Sequence, residues 1–223
     1  MRRLWYLLVV LLIASSSTLA RAAGDPAVLA AALDVVMGNL QGAPICRGVA
    51  HDAKRPDRMK LAALVAALPD PNASYPFGSM DITPLGLAAL ADDVRLLDSL
   101  FARGAQWRQD PANSMAMYDT AQHGSPAMIK ALLRHGLRPD IRQPGGWSPI
   151  MAAAWANRLD NVTVLLEAGA DVNLALPNGT SALRAAVMCK NQRMVDTLVH
   201  GGARPDAKTT HLAEERGIKF PDS

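Results

Sequence analysis

The stretch that decides the fold is residues 148–154, SPIMAAA, together with residues 169–173, GADVN. Ser148 is typical of a helix N-cap, because its hydroxyl can accept a hydrogen bond from an N–H of the first turn. Pro149 follows at the first helical position, where its missing N–H costs nothing and its φ is already helical. Gly169 ends a second apolar segment, at a position where a left-handed backbone is favoured. The stretch therefore predicts two short helices joined by a tight turn.

The same pattern recurs along the chain at a nearly constant interval. Further copies begin at Thr83 (TPLGLAA) and Ser181 (SALRAA), and a weaker copy begins at Met115 (MAMY). A glycine follows each start by the same distance, since 104 − 83, 136 − 115, 169 − 148 and 202 − 181 all equal 21. The starts step by 32, 33 and 33 residues. Such a period indicates a solenoid, in which helix pairs bury their apolar faces by stacking on one another.

These copies resemble the ankyrin-repeat family, whose repeat is about 33 residues long with a T-P-L-H-x-A core. The resemblance covers roughly residues 60–218 and implies an all-α solenoid of about five helix-turn-helix repeats with short hairpin loops. The expected organisation is a signal peptide (1–22), an irregular N-terminal capping repeat (23–78), four repeats of which the second is divergent (79–110, 111–142, 143–175 and 176–206), and a truncated C-terminal cap (207–223).

The two ends of the array are expected to form caps. Residues 61–68 resemble a second helix and residues 70–73 its exit turn, with a helix over 27–37 as its partner. Residues 212–217 resemble the first helix of a truncated final repeat, whose charged side should face water.

The first 22 residues are typical of a secretory leader. Arg2 and Arg3 precede an unbroken apolar run of 11 residues, 4–14, and a small-x-small pattern follows at residues 20–22. An uncleaved anchor is the alternative, although this run is shorter than the roughly 20 residues that cross a bilayer. The sequence therefore predicts an exported, periplasmic protein, with secretion as the alternative and no membrane insertion after cleavage.

The charge of the chain argues against a nucleic-acid partner. The chain has 23 Lys and Arg against 20 Asp and Glu, but three of the basic residues lie in the leader. Without the leader, 20 basic residues face 20 acidic ones, so the net charge is zero. A neutral chain lacks the basic stripe that attracts phosphates.

No catalytic motif is present in the sequence, and the five histidines are scattered along it. We therefore expect no catalytic residues, no metal site and no cofactor. Cys46 and Cys189 would be an obvious disulfide in an oxidising compartment. The repeat stacking places them several helix spacings of about 8–10 Å apart, so the sequence predicts no intramolecular bridge.

Resemblance to ankyrin stacks implies that a partner protein binds the hairpin tips and the exposed face of the first helices, which line a concave groove. Trp147 and Trp155 fall in one repeat and are the expected anchors, because exposed tryptophan is common at interface hot spots. The alternative is that both rings tuck against the next repeat. The full set of expected partner-binding residues is Met80, Ile82, Leu90, Ser114, Gln122, His123, Trp147, Trp155, Thr180 and Met188.

One residue departs from the pattern. Asp119 stands where the repeat wants an apolar residue, and a carboxylate on a packing face is costly unless it is paired. Either the helix shifts its register there, or Asp119 meets a cation such as Lys130, Arg134 or Arg158. A local structural pair and a functional polar spot both remain open.

The sequence thus predicts a monomeric, exported, non-enzymatic module that binds another protein, such as an exported enzyme or a toxin. An antitoxin or immunity-type inhibitor of a delivered toxin is one alternative. An enzyme or small-ligand sensor with a site near Tyr118, Asp119 and His123 is an alternative of another class.

Overall fold

A computed structural model describes residues 30–32, 34–35, 56–77, 80–107 and 111–221. Residues 30–32 and 34–35 are helical, and the signal-peptide prediction for 1–22 lies outside the described residues. Within the described part, the helices are α1 (Pro56–Ala66), α2 (Pro84–Ala91), α3 (Val94–Ala102), α4 (Pro111–His123), α5 (Pro126–Arg134), α6 (Pro149–Trp155), α7 (Leu159–Glu167), α8 (Ala182–Met188), α9 (Gln192–His200) and α10 (Ala207–Arg216). The strands β1 (Tyr75–Phe77) and β2 (Met80–Ile82) form an antiparallel hairpin that pairs Tyr75 with Ile82.

The helices form two stacked layers. The first helices of successive repeats, α2, α4, α6 and α8, pack in a row, and α10 extends this row at its C-terminal end. The second helices, α3, α5, α7 and α9, pack in a parallel outer row, and each also contacts the first helix of its own repeat. This arrangement confirms the predicted all-α solenoid of helix pairs.

The caps predicted at the helix starts are present, with one exception. The Thr83 hydroxyl accepts from the Gly86 N–H at 3.2 Å, and the Ser181 hydroxyl accepts from the Arg184 N–H at 3.2 Å. Ser148 stands at the N-cap of α6 without such a bond, and its buried hydroxyl has no hydrogen-bond partner among the described residues. Start signals in the sequence therefore placed these helices correctly even where the capping bond itself is not made.

Left-handed residues end the helices at both turns of three repeats and after the second helix of the divergent repeat. Gly104, Gly136, Gly169 and Gly202 have φ between 79° and 95°, as predicted for the ends of second helices. Between the two helices of a repeat, three non-glycine residues, Asp92, Asn157 and Lys190, adopt φ of 57°, 57° and 52°. The equivalent residue of the second repeat, Gly124, does not have a positive φ.

The core is aliphatic and rich in alanine. In the first helices, Ala88, Ala121, Ala153 and Ala186 are fully buried, so that neighbouring helices approach closely. Second helices contribute large apolar side chains to the same core, which include Leu97, Leu132, Leu165 and Leu198. No single pair of helices supplies this core, so its stability is shared between neighbours.

Both ends of the array repeat the internal geometry. Asn72 donates to the Gly104 carbonyl at 2.9 Å and accepts from the Gln106 N–H at 2.9 Å. Asn173, in the loop that follows α7, makes the equivalent pair of bonds: it donates to the Gly202 carbonyl at 3.0 Å and accepts from the Arg204 N–H at 2.9 Å. Residues 70–73 therefore act as an exit turn, in agreement with the sequence expectation. The terminal helix α10 packs on α8 with Glu214 and Glu215 exposed.

The prediction about the cysteines was wrong. Cys189 is disulfide-bonded, and the chain has one other cysteine, Cys46, which lies outside the described residues. That prediction assumed a fixed place for Cys46 at the N-terminal end of the stack. The ten residues from Cys46 to Pro56 can span as much as about 33–36 Å when extended, so repeat spacing alone does not fix that place.

Candidate partner-binding groove

The helix α4 separates its residues into two faces. At 100° per residue, the buried residues of α4 fall on one side of the helix; they are Asn113, Ser114, Ala116, Met117, Thr120 and Ala121. The half-buried residues Met115, Tyr118, Asp119 and Gln122 share the opposite side. Because α2, α6 and α5 pack on the buried side, the half-buried side is the open face of the first-helix row. We call this face the groove.

One position of the groove can be followed from repeat to repeat. Leu90, Gln122, Trp155 and Met188 occupy equivalent places near the ends of α2, α4, α6 and α8. Leu90 is 7% exposed, Gln122 and Trp155 are half-buried, and Met188 is 36% exposed. Accessibility of the groove therefore increases from the first repeat to the last.

The two nominated tryptophans lie together. The rings of Trp147 and Trp155 meet edge to face, with centroids 5.6 Å apart and planes at 80°. Both side chains are half-buried against the core, so each retains an exposed edge. The hairpin that carries Trp147 is closed by the Gln143 N–H, which donates to the Trp147 carbonyl at 3.1 Å. The pair thus forms an aromatic surface between the hairpin and α6.

The other expected partner-binding residues are distributed unevenly. Ile82 and Thr180 are half-buried beside the helix starts, and only the backbone of Met80, which pairs with Phe77, is described. His123 is half-buried at the end of α4, where its carbonyl accepts from the Arg58 guanidinium at 3.1 Å.

Two members of that set need correction. Leu90 is buried, because every residue of α2 is covered by its neighbours, and Ser114 is only 4% exposed. The sequence placed Ser114 in a hairpin, but α4 begins earlier, at Pro111, so that Ser114 lies inside the helix on its packing side. Neither residue offers a partner much surface.

Tyr118, Asp119 and Gln122 form a polar group in the centre of the groove. The Gln122 amide donates to the Tyr118 hydroxyl at 3.2 Å. The surface of Asp119 is not fully covered, yet enough protein surrounds its carboxylate that burial raises its pKa to about 7. Burial and the nearby Asp119 charge also raise the pKa of Tyr118.

None of the three cations suggested for Asp119 pairs with it. Arg134 binds Asp98 at 2.9 Å, and the Arg158 guanidinium donates to the Gly124 carbonyl at 2.7 Å. Lys130 is exposed on the outer helix α5. Among the described residues, Asp119 makes no hydrogen bond or ion pair. The other alternative, a change of register, is not seen either: α4 begins earlier than α2 and α6, but Asp119 keeps the position equivalent to Leu87 and Ala152.

A polar ladder that the sequence analysis missed joins successive repeats behind the groove. The fully buried Asn161 donates to the Ala121 carbonyl at 2.9 Å and to the Gly124 carbonyl at 3.2 Å. Asp92 accepts from the Ser125 N–H at 2.9 Å. The signal for Asn161 was present, because it occupies the register held by Leu96, Met128 and Met194 in the other repeats.

Within the described ranges, no group of three or more His, Cys, Asp or Glu side chains could hold a metal ion. No helix in the same ranges is long and apolar enough to cross a bilayer.

Comparison with known proteins agrees with this geometry. The family model for ankyrin repeats in three copies matches residues 85–176, and the single ankyrin-repeat model matches residues 178–210. A chain built of stacked helix pairs with an open groove belongs to the class of repeat proteins whose modules bind other proteins. This chain is a member of the ankyrin-repeat family.

Its similarity to curated proteins is limited to their repeat regions. It is 29% identical over 118 residues to the ankyrin repeat domain-containing protein SAT10 of Stachybotrys chartarum, covering 52% of this chain and 6% of that protein. It is 35% identical over 83 residues to the potassium channel AKT2/3 of Arabidopsis thaliana, covering 37% and 10%. It is 26% identical over 164 residues to the glycerophosphocholine phosphodiesterase gde1 of Schizosaccharomyces pombe, covering 70% and 14%. The chain spans only a small fraction of each of these relatives.

Proposed function

We propose that this protein is an exported binding module that holds a partner protein in the groove and has no catalysis of its own. The observation that carries the proposal is the open end of the groove, where the Trp147–Trp155 pair and the exposed Met188 form an apolar surface. Aromatic side chains held in a fixed geometry lose little entropy on binding, and tryptophan is enriched among residues that dominate interface energies. The partner is an exported enzyme or a toxin.

Two observations support export. The leader-like residues 1–22 account for the entire excess of positive charge. The disulfide at Cys189 is the kind of bond that persists in the periplasm or outside the cell and is rare in the cytosol.

The alternative of an enzyme or small-ligand sensor near Asp119 has one supporting observation, the raised pKa of that carboxyl. A carboxyl with a pKa near 7 is suited to proton transfer. Its neighbour Tyr118 is held by Gln122, and no nucleophile–base pair lies beside it among the described residues. We therefore favour binding over catalysis.

Affinity capture with matched variants tests the proposal. The mature chain, the Trp147→Ala/Trp155→Ala double variant and the Lys130→Ala control are each used to capture proteins from the native compartment. Lys130 is exposed on an outer helix, away from the groove. We expect a partner, identified by mass spectrometry and bound again after purification, that is lost only with the double variant.

Circular dichroism and thermal melts establish that the double variant is folded. Capture that survives in the folded double variant contradicts the groove proposal. A purified partner whose toxicity or enzymatic activity is blocked by the mature chain indicates the immunity-type role, whereas one whose activity is preserved or enhanced indicates a chaperone-like role.

A further inference from the structure

Asp119 is the one groove residue of α4 with a formal charge. It occupies the position of Leu87 in α2, Ala152 in α6 and Ala185 in α8, all of which are buried apolar residues. The carboxylate is therefore half-buried at a position that the other repeats fill with a fully buried aliphatic side chain. Its nearest groove neighbours on its own helix, Tyr118 and Gln122, satisfy each other with a 3.2 Å hydrogen bond.

The basic residues of the surrounding elements are engaged elsewhere or point away. Arg134 on α5 pairs with Asp98, and Arg158 at the start of α7 reaches the Gly124 carbonyl. Arg184 occupies the Tyr118 position on α8, two helices further along the row, and its charge acts on Asp206. At a packing distance of about 8–10 Å per helix, Arg184 lies well beyond ion-pair range of Asp119.

An isolated carboxylate in a partly desolvated surface is a strong recognition feature for a cation. Charge-assisted hydrogen bonds in such surroundings are stronger than neutral ones, and burying the carboxylate without a partner is costly. The adjacent Trp155 face can pack against the aliphatic stem of a long basic side chain. Chemistry of this kind fits lysine or arginine better than an apolar residue.

Building on the proposed function, we propose that the partner presents a lysine or arginine that ion-pairs with Asp119 while an adjoining apolar residue packs on Trp155. Asp119 is then the residue that selects among partners, and the aromatic pair supplies the contact area. This arrangement makes the divergence of the second repeat a specificity device, because a mismatched partner leaves a desolvated carboxylate unpaired.

Selection of peptides tests this assignment directly. A random 12-residue peptide library displayed on phage is panned against the mature chain, Asp119→Asn and Asp160→Asn. Asp160 is the matched control, since it is an exposed carboxylate on the outer helix α7. We expect lysine or arginine to be enriched at one position with the mature chain and with Asp160→Asn, and not with Asp119→Asn.

The best peptide is then measured by titration calorimetry. Replacing its basic residue by alanine or replacing Asp119 by asparagine should each weaken binding by about tenfold or more, and the two changes together should weaken it little further. Since a protonated carboxyl cannot pair, burial that raises the pKa of Asp119 to about 7 predicts tighter binding at pH 8 than at pH 6.

The outcomes separate the two proposals. Peptides that require Trp155 but carry no basic residue, or whose basic residue is insensitive to Asp119→Asn, overturn the Asp119 assignment and leave the groove function standing. Peptides that bind equally well to a folded Trp147→Ala/Trp155→Ala variant, or a failure to select any peptide, overturn both.

Discussion

At the scale of single residues, Asp119 costs the fold stability that an apolar side chain would restore. Its carboxylate replaces the leucine or alanine of the other repeats and has no ion-pair partner among the described residues. The sequence identified it as an anomaly, because the repeat register defines what belongs there. Whether a cation pairs with Asp119 depends on the directions of the side chains, which the repeat spacing alone does not predict.

Replacing Asp119 with leucine should therefore stabilise the protein. At pH 8 we expect the free energy of unfolding to rise by roughly 2 to 4 kcal/mol, because the charged form is the one that burial disfavours. Urea unfolding measures the change, with Asp119→Asn as the near-isosteric comparison. A loss of stability in both variants would mean that the carboxylate is a structural partner after all.

The same residue sets a pH dependence. The pKa of Asp119 is raised from 3.8 to about 7, so the folded protein holds a proton that the unfolded chain has released. Stability should fall as the pH rises from about 4 to 7 and then level off. The hydrogen bond from His135 lowers the pKa of Asp98, whose opposite effect is confined to pH values below about 4. Asp119→Leu should flatten the curve between pH 4 and 7 in unfolding measured across this range.

Asn161 is the buried polar residue on which the junction between α4 and α7 depends. Replacing it with leucine restores the apolar register of Leu96 and Met128, yet it removes the donor to the Ala121 carbonyl and leaves the Gly124 carbonyl with Arg158 alone. We expect Asn161→Leu to lower the free energy of unfolding by about 1–3 kcal/mol. Met128→Leu is the control, because it changes a buried side chain in the same register without touching a hydrogen bond. An unchanged Asn161→Leu stability would show that other donors satisfy these carbonyls.

At the scale of elements, three of the repeats end both of their helices with a residue of positive φ, but the two turns use different residue types. The turn after each second helix uses glycine, whereas the turn between the helices uses Asp92, Asn157 and Lys190 with positive φ. The glycines made the turns after the second helices predictable from the sequence. The turns between the two helices of a repeat were harder to predict, because asparagine, aspartate and lysine adopt a positive φ at an energetic cost and are common in other conformations too.

Exchanging residue types at these turns should move stability in opposite directions. Lys190→Gly should raise the free energy of unfolding by about 0.5–1 kcal/mol, since φ of 52° is strained for lysine. Gly169→Ala should lower it by about 1–2 kcal/mol through φ of 79° alone, because an added Cβ would meet no atom within 4 Å. Thermal melts of both variants check the signs, and equal effects would show that backbone conformation is not the cause.

At the scale of the whole molecule, the period of the repeats predicted the helix pairs and their stacking, but it did not predict the features that break the repeat pattern. Spacings of 21 and of 32–33 residues located the helix pairs and the groove, because stacking follows from the period. The early start of α4 at Pro111 lies outside the repeat pattern, and the disulfide at Cys189 joins segments that are distant in the sequence. In the groove, the Trp147–Trp155 pair was predictable from its single repeat, whereas the burial of Leu90 was not.

The disulfide should contribute measurably to stability. A bridge between Cys189 and Cys46, the chain's other cysteine, closes a loop of 189 − 46 = 143 residues that contains the first three repeats. Reduction should lower the free energy of unfolding by roughly 2–5 kcal/mol. Urea unfolding with and without a dithiol reductant measures this effect. The Cys46→Ser/Cys189→Ser variant serves as control, and it should resemble the reduced protein and ignore the reductant; a wild-type protein equally indifferent to reductant would contradict the prediction.

The edge-to-face contact of Trp147 and Trp155 has an optical consequence. Two indoles at 5.6 Å and 80° couple their electronic transitions, which gives a paired positive and negative band in far-ultraviolet circular dichroism. An incoming molecule that wedges against either ring alters the angle between them and hence the sign or size of that couplet. The protein therefore carries its own label-free spectroscopic sensor of occupancy, readable before any ligand has been identified.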